Sequence, residues 1–216
     1  MVKKARLMAR NPDLVLASAS PRRRELLERL GLALLVAPAD VDETPQAGER
    51  AADYVRRVAA AKCDAVAESR AALADTAAAP LPVVAADTIV VLDGKIFGKP
   101  ADEAAARAML TELAGRRHEV TTAYRIRHQG SKLDRSVTTT VSFRLFQAAE
   151  LHAYLASGEW RGKAGGYAVQ GIAAAFVTEV RGSITNVIGL PLCELLADLQ
   201  ALEALPAYPP PGFGVA

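Results

Sequence analysis

Short apolar runs alternate with segments of helical periodicity along this chain, a pattern typical of a mixed α/β fold. The longest apolar run, over residues 82–92, consists of Val, Ala, Ile and Leu with only Asp87 and Thr88 interrupting it after Pro82. It predicts a central strand that is buried on both faces. Strands are predicted over residues 14–17, 32–37, 82–92, 95–97, 117–127 and 132–146, with two further short strands within 167–180.

The first predicted helix has the clearest boundaries. Ser20 is a typical N-cap residue, Pro21 suits the first helical turn, and Gly31 follows the last apolar position, where helices commonly end. Helices are predicted over residues 22–30, 50–70, 101–114, 148–156 and 191–202.

Two turn signals and one long helix complete the predicted architecture. Asp93-Gly94 and the segment 128–130 each predict a hairpin between neighbouring strands. The fold class we expect is α/β, with a central mixed sheet, flanking helices and a second, more antiparallel lobe. The helix over 50–70 has a predicted apolar face that carries Tyr54, Val58, Ala61 and Ala65.

Size and charge narrow the class of protein. The chain has 216 residues, of which 51% are hydrophobic, enough to bury a sizeable core. Its net charge of +2, from 26 basic and 24 acidic residues, gives no general attraction to nucleic acid or membranes. We expect one domain over residues 1–206 with two lobes around a cleft, a disordered Pro-rich tail over 207–216, and no nucleic-acid or membrane partner.

Cysteine usage and the N-terminus indicate the compartment. Cys63 and Cys193 lie too far apart for a zinc motif and are too few for a disulfide framework, so we interpret both as reduced packing residues. Basic residues precede the apolar run at 14–17, but that run is shorter than the ~7–15 residues of a signal-peptide core. A cytoplasmic protein is the expectation.

The segment 18–23, Ser-Ala-Ser-Pro-Arg-Arg, is a candidate phosphate-binding turn. A strand that leads into a helix presents free backbone N–H groups and the positive end of the helix dipole. Two hydroxyls and two guanidiniums at the same turn add donors suited to phosphate oxygens. A well-capped helix with solvated arginines explains the same residues equally well when the turn is considered alone.

Asp87 is the candidate catalytic residue. A charged carboxylate inside a Val/Ala/Ile strand is costly unless it is paired or binds a metal. It therefore indicates either a functional site or a buried ion pair. Both readings stay open from the strand alone.

Four further polar residues lie on or near apolar elements: Glu43, Lys62, Lys99 and Gln170. Hydrolysis of a nucleotide phosphoanhydride needs a divalent ion held by carboxylates, cations for the phosphates and an oriented water. Each residue taken singly is also typical of a solvated surface. The chain has neither a Walker A loop nor a G-x-G-x-x-G motif, so the common nucleotide-binding folds lack support.

Taken together, these segments resemble the Maf family of nucleoside triphosphate pyrophosphatases. The resemblance covers nearly the whole chain apart from residues 71–80, which are Ala-rich and predict a linker or a frayed helix end, and the tail. Its specificity comes from five motifs in the right order. The matching segments are LVLASASPRRRELLERLGL, VDETP, AAKCDAV, VVAADTIVVLDGKIFGKP and GKAGGYAVQGIAAAFVTEVRGSITNVIGLPL.

The resemblance implies a two-lobed α/β fold like that of inosine triphosphate pyrophosphatases, with the active site in the cleft between the lobes. It implies hydrolysis of a nucleoside triphosphate to the monophosphate and pyrophosphate with Mg²⁺ or Mn²⁺. Asp87 is the implied general base, and Glu43 and Asp87 are the implied metal ligands. The residues implied to bind the nucleotide are Ser18, Ser20, Arg22, Arg23, Lys62, Thr88, Lys99 and Gln170.

Segments 168–171 and 186–189 look like the branch of the family that acts on dTTP and UTP. The sister branch, which prefers 7-methyl-GTP, carries an acidic residue where this chain has Gln170. A neutral amide both donates to and accepts from the edge of thymine or uracil, whereas a carboxylate suits guanine. The alternatives are therefore that sister activity, or a nucleotide-sensing regulator of septum formation. Since members of the family are commonly dimeric, a homodimer is a further expectation.

Overall fold

The computed structural model describes residues 11–73, 80–205 and 208–209. Within these residues a seven-stranded mixed sheet lies among six α-helices and two 3₁₀ turns. The strands are β1 Leu14–Leu16, β2 Leu34–Val36, β3 Val83–Leu92, β4 Lys95–Phe97, β5 Arg117–His128, β6 Ser131–Phe143 and β7 Val177–Arg181. The helices are α1 Pro21–Arg29, α2 Ala51–Leu73, α3 Glu103–Leu113, α4 Ala148–Ala156, α5 Ile184–Ile188 and α6 Leu192–Ala201. The 3₁₀ turns are Ala164–Gly166 and Ile172–Phe176.

The strands form one sheet in the order β2-β1-β3-β5-β6-β7, and β4 also pairs with β3. The pairs β2–β1 and β1–β3 are parallel, whereas β3–β5, β5–β6 and β6–β7 are antiparallel. The predicted mixed α/β fold is therefore confirmed. Its parallel and antiparallel parts are continuous in a single sheet.

β3 is the central strand, as its apolar composition predicts. Eight of its ten residues are buried, and only Thr88 and Val91 are partly accessible. Along one edge it pairs with β5 without interruption, from Val83 opposite Arg127 to Val91 opposite Glu119. This unbroken register fixes which side chain of β3 faces each side of the sheet.

Helix α2 covers one face of the sheet, but the face it buries differs from the predicted one. Val58 is buried as expected, whereas Ala65 is exposed. Lys62 and Cys63 are buried instead of Ala65, because the face of α2 that contacts the sheet is rotated around the helix axis relative to the predicted face. Hydrophobic periodicity assigns charged residues to the exposed side of a helix, so Lys62 was not expected on the buried face. The charge of Lys62 is compensated by carboxylates that the pattern of hydrophobicity does not reveal.

The segment 167–180 contains one strand and not the two that the sequence predicts. Its first part forms the 3₁₀ turn at Ile172–Phe176, and only β7 joins the sheet. Glu159 explains the difference. Its carboxylate accepts hydrogen bonds from the backbone N–H groups of Ile172 and Ala173, at 2.8 and 3.2 Å, and so satisfies the start of the turn.

Most of the predicted Ala-rich linker and Pro-rich tail lies outside the described residues; helix α2 continues to Leu73, past the predicted end at Arg70. Both cysteines are unpaired, as predicted, with Cys63 buried and Cys193 exposed. In the described part of the chain, no helix combines the length and the apolarity that a membrane span requires.

Asn186 fastens α5 to the sheet. Its side chain is fully buried, donates to the carbonyl oxygen of Val120 and to Oγ1 of Thr139, both at 2.9 Å, and accepts from the backbone N–H of Thr122 at 3.2 Å. All the hydrogen-bonding groups of the amide are therefore engaged, as burial demands. Because α5 is only five residues long, these contacts hold the loop that follows it.

Replacement of Asn186 by Ala should lower the free energy of unfolding by about 3 kcal/mol, because it removes three buried hydrogen bonds to two strands. Urea denaturation measures the loss. The exposed amide Gln200, replaced by Ala in the same way, should change stability by less than about 0.5 kcal/mol. Equal effects of the two substitutions would contradict the anchoring role.

Candidate active site

The candidate site occupies a gap in the edge of β3. Strand β1 pairs with β3 at Val83 and Val84, and β4 pairs with the same edge from Val90 to Leu92. Between them, residues 85–89 have no neighbouring strand on this side among the residues that the structure describes, although β5 covers the other edge throughout. A cleft of about 290 Å³ opens at this gap, at the carboxyl end of β1. Ligands of open α/β sheets bind in such positions.

The cleft brings together every side chain that sequence analysis nominated. Asp87 and Thr88 lie at the centre of the gap, and the other residues reach it from five separate stretches of the chain. The nominated residues in its lining are Ser18, Ser20, Arg22, Arg23, Glu43, Lys62, Asp87, Thr88, Lys99 and Gln170.

The turn between β1 and α1 is built by local hydrogen bonds. Ser20 is the N-cap of α1, and its side chain accepts from the backbone N–H of Arg23. Ser18, which is buried, accepts from the backbone N–H of Ser20 at 3.2 Å. These bonds direct the N-terminus of a nine-residue helix, with the positive end of its dipole, at the cleft.

Arg23 is buried in the floor of the cleft and is not a solvated surface residue. Its guanidinium donates to the carbonyl oxygen of Gly189 at 2.8 Å, to Oγ of Ser18 at 3.1 Å and to Oγ1 of Thr88 at 3.0 Å. Burial lowers the pKa of Arg23, and the nearby carboxylates of Asp87 and Glu43 oppose this effect. Because an arginine has five N–H donors, part of the fork remains for an anion in the cleft.

Thr88 continues this network into the sheet. Its Oγ1 lies 2.9 Å from Oγ1 of Thr122, and Thr122 donates its own hydrogen to the carbonyl oxygen of Asn186 at 2.9 Å. Thr88 must therefore donate to Thr122 while it accepts from Arg23. The hydroxyl hydrogen of Thr88 is thus committed within the protein, and toward the cleft this residue offers only a lone pair.

Lys62 bridges the two carboxylates of the cleft. Its Nζ lies 2.9 Å from Oδ1 of Asp87 and 2.9 Å from Oε1 of Glu43. Both Lys62 and Asp87 are buried, so Asp87 belongs to a buried ion pair and also lines the cleft. Burial raises the pKa of Glu43, but the hydrogen bond from Lys62 and the nearby cations outweigh it and hold this pKa below its ordinary value.

The loop that carries Glu43 is fixed from α2, since Tyr54 donates its hydroxyl hydrogen to the Glu43 carbonyl at 3.0 Å. Beside this contact lies a second compartment of about 280 Å³, which shares Glu43, Asp87 and Thr88 with the main cleft. Lys99 lies at the border of the two compartments and is exposed. Its ammonium is therefore available to an anion in either one.

The opposite wall contributes a cation that sequence reasoning did not nominate. Lys163 lines the cleft, and its ammonium donates to the backbone carbonyls of Glu159 and Arg161. Arg22 reaches the same loop through the carbonyl oxygen of Gly162 at 3.4 Å. Burial lowers the pKa of both cations, and for Lys163 the positive charge of Arg22 adds to the effect. The one sequence signal for Lys163 was its place in the GKAGGY segment.

The same wall is anchored from behind by a buried aromatic cluster. Tyr167 lines the cleft, and its hydroxyl lies 2.8 Å from Nε2 of His118. Burial lowers the pKa of His118 to about 4, so the imidazole is neutral at pH 7. His118 and Tyr167 also pack edge-to-face with Phe143. The chain leading to Gln170, an exposed residue at the rim, therefore starts from a rigid support.

The family described as Maf-like protein matches residues 13–202. These residues cover most of the chain and include every residue that lines the cleft. The chain belongs to this family. Similar proteins include one from Cereibacter sphaeroides, 48% identical over 90% of this chain and 97% of its own length, and one from Anaeromyxobacter dehalogenans, 51% identical over 88% and 93%. A third, from Bordetella parapertussis, is 48% identical over 91% and 96%. All three are named dTTP/UTP pyrophosphatase.

For a Maf-family protein, the carboxylates of this cleft suit a divalent ion that a substrate helps to bind. No cluster of three or more His, Cys, Asp or Glu side chains able to hold a metal occurs among residues 11–73, 80–205 and 208–209. Glu43 and Asp87 provide two carboxylates. Mg²⁺ is commonly held by one or two carboxylates together with substrate phosphates and waters, so this donor set fits.

Replacement of Arg23 by Lys should lower the free energy of unfolding by about 2 kcal/mol, although the charge is kept, because an ammonium cannot reach Ser18, Thr88 and Gly189 together. Urea denaturation measures this change. The matched control is Arg24→Lys, at an exposed residue paired with Glu28, which should change stability by less than about 0.5 kcal/mol. If Arg23→Lys left the free energy of unfolding unchanged, the hydrogen bonds of the Arg23 guanidinium would be dispensable for stability.

Proposed function

We propose that this protein hydrolyses dTTP and UTP to the nucleoside monophosphate and pyrophosphate, in a role that removes unwanted or modified pyrimidine nucleotides. The observation that carries the proposal is the placement of Asp87: its carboxylate lies at the sheet gap that the Ser18–Arg23 turn and Lys62 also line. The names of relatives that match this chain almost end to end support the substrate.

The phosphate chain is bound by the cations and the helix N-terminus that converge on the cleft. The N-terminus of α1 directs the positive end of its helix dipole at the cleft, and Arg22, Lys99 and Lys163 line the same space. Arginine donates to phosphate oxygens in bidentate geometry, and lysine acts as a mobile point charge. Arg23, in the floor of the cleft, has N–H donors beyond its three contacts within the protein, and these can bind a further phosphate oxygen.

Asp87 acts as the general base. Lys62 engages Oδ1, and among the described contacts Oδ2 receives no hydrogen bond, so this second oxygen remains to accept a proton from water. The water oxygen attacks phosphorus at the α–β anhydride, the bond to the bridging oxygen breaks, and pyrophosphate leaves with the bonding electron pair. In the free protein, Lys62 holds the carboxylate of Asp87 in this orientation.

We propose Mg²⁺ or Mn²⁺ as the cofactor, held by Glu43 and Asp87 together with the phosphates. When it is bound, the ion neutralises phosphate charge and stabilises the transition state. The residues of the chain orient the phosphates, and Tyr54 keeps Glu43 in place through the Glu43 carbonyl.

Gln170 is the proposed selector of the base. It lies exposed at the rim of the cleft, where its amide can both donate to and accept from thymine or uracil. Arg22 lines the same side, whereas Thr88 contributes only a lone pair because its hydrogen is used by Thr122. The competing function is 7-methyl-GTP hydrolysis, for which a carboxylate at this position would be better suited.

A cytoplasmic location is part of the proposal. Two unpaired cysteines are typical of a reducing compartment, which is also where nucleotide pools turn over. A regulatory effect on cell division is the alternative from another class of function. If it is direct, the catalytically inactive Asp87 variant should still affect septum formation when it is overproduced.

Asp87→Asn should reduce pyrophosphate release from dTTP by at least about 10²-fold, because it removes the base and preserves the shape. Pyrophosphate and orthophosphate are assayed separately with Mg²⁺, and nucleotide binding is followed by calorimetry. The Kd for dTTP should change by less than about tenfold. Asp53→Asn, at an exposed position on α2, is the matched control and should keep full turnover. Wild-type turnover in the Asp87 variant would overturn the base assignment, and an intact wild-type protein that releases no pyrophosphate from dTTP or UTP would overturn the function.

Gln170→Glu should lower kcat/KM for dTTP by about tenfold or more, because a carboxylate repels the carbonyl edge of the base and cannot donate to it. The ratio of kcat/KM for dTTP to that for 7-methyl-GTP is the measurement. Gln200→Glu, at an exposed amide of α6, adds the same charge away from the cleft. An unchanged ratio in the Gln170 variant would contradict the proposed selection.

A further inference from the structure

Lys62 occupies an unusual position for a lysine on a long helix. It lies in the interior of α2, is 8% exposed, and directs its ammonium between two carboxylates that come from different parts of the chain. Glu43 reaches it from a loop, and Asp87 reaches it from the central strand. The ammonium therefore links the loop, α2 and β3 at a single atom.

The ammonium of Lys62 contacts one oxygen of each carboxylate that a divalent ion between Glu43 and Asp87 would use. The Lys62 Nζ lies 2.9 Å from one oxygen of each carboxylate. An ion such as Mg²⁺ would approach the same oxygens to ~2.1 Å. Two cations cannot share that space, so the ammonium and an ion that binds these two oxygens exclude each other.

We propose that Lys62 is an internal counter-cation. In the free protein its ammonium holds Glu43 and Asp87 together through Oε1 and Oδ1. It gives up these two oxygens to a divalent ion only when a polyphosphate arrives with that ion. This inference rests on the proposed divalent-ion-dependent function. It assigns Lys62 a positioning role toward the ion, in addition to the phosphate contact expected from the family resemblance.

The balance of charge explains why the exchange requires phosphate. The carboxylates of Glu43 and Asp87 are already opposed by Lys62 and Arg23, and Lys99 stands at the border. A divalent ion entering alone would meet an excess of positive charge and only two carboxylates. A polyphosphate adds negative charge and oxygen ligands, and it gives the displaced ammonium of Lys62 a new partner.

The test measures Mn²⁺ binding by electron paramagnetic resonance, without turnover. The wild-type protein should bind Mn²⁺ at least about tenfold more weakly alone than with a non-hydrolysable α,β-methylene analogue of dTTP. Lys62→Met, which keeps the apolar stem and removes the charge, should bind Mn²⁺ alone at least about tenfold more tightly than wild type. Equal wild-type affinity with and without the analogue would overturn the proposal, whatever the behaviour of the variant.

Two control variants separate the bridge from a general change of charge. Lys99→Met removes another cation of the cleft and should give less than about a third of the gain in Mn²⁺ affinity. The double variant Lys62→Met with Glu43→Gln should lose the gain. An equal gain in Lys99→Met, or a gain that survives loss of the Glu43 carboxylate, would show that the bridge is not the cause.

Thermal unfolding provides a second test, in which the Tm of each protein is measured directly. Lys62→Met should have a lower Tm than wild type, because two carboxylates lose their shared partner. Mn²⁺ should recover this loss, and NaCl of equal ionic strength should not. A variant that Mn²⁺ fails to stabilise would contradict the proposal. Since none of these measurements uses hydrolysis, they remain decisive even if the protein does not cleave dTTP.

Discussion

The active cleft depends above all on the buried guanidinium of Arg23. Its three hydrogen bonds join the end of β1, the central strand and the loop after α5 through Ser18, Thr88 and Gly189. A buried charge is tolerated only when polar partners surround it, and here those partners are parts of the cleft itself. The cation that sequence analysis assigned to phosphate therefore also holds the walls in position.

A second constraint follows from the gap in the sheet. Between the β1 and β4 pairings, no strand in the described part of the chain borders this edge of β3, and Asp87 and Thr88 are accessible from the cleft. Asp87 is tolerated there because α2 supplies the ammonium of Lys62, which also pairs with Glu43 of the loop. The stability of the strand and the proposed chemistry of the carboxylate thus rest on the same contacts, so the two interpretations of Asp87, as a buried ion pair and as a functional residue, are compatible.

The fold could be predicted where local signals are strong and less well where tertiary contacts decide. Ser20 as a cap and the apolar run of β3 place α1 and the central strand correctly. The 3₁₀ turn at Ile172–Phe176 depends on a carboxylate thirteen residues away, at Glu159, which no local pattern shows. All the nominated cleft residues come together, but Lys163 was missed because a lone lysine in a loop usually indicates a solvated surface.

The alternation of side chains along β3 has a consequence for the fidelity of folding. Asp87 shares its side of the sheet with Ala85 and Ile89, which pack under α2, whereas Thr88 faces the opposite side with Ala86 and Val90. Each side holds a buried cation suited to its own partner. A pairing of β3 with β5 displaced by one residue would turn Thr88 away from the guanidinium of Arg23 and would leave the ammonium of Lys62 with Glu43 alone. An error of register in this strand therefore breaks polar contacts as well as hydrophobic packing. Asp87 and Thr88, at the centre of the cleft, thus also help to specify the register of the sheet.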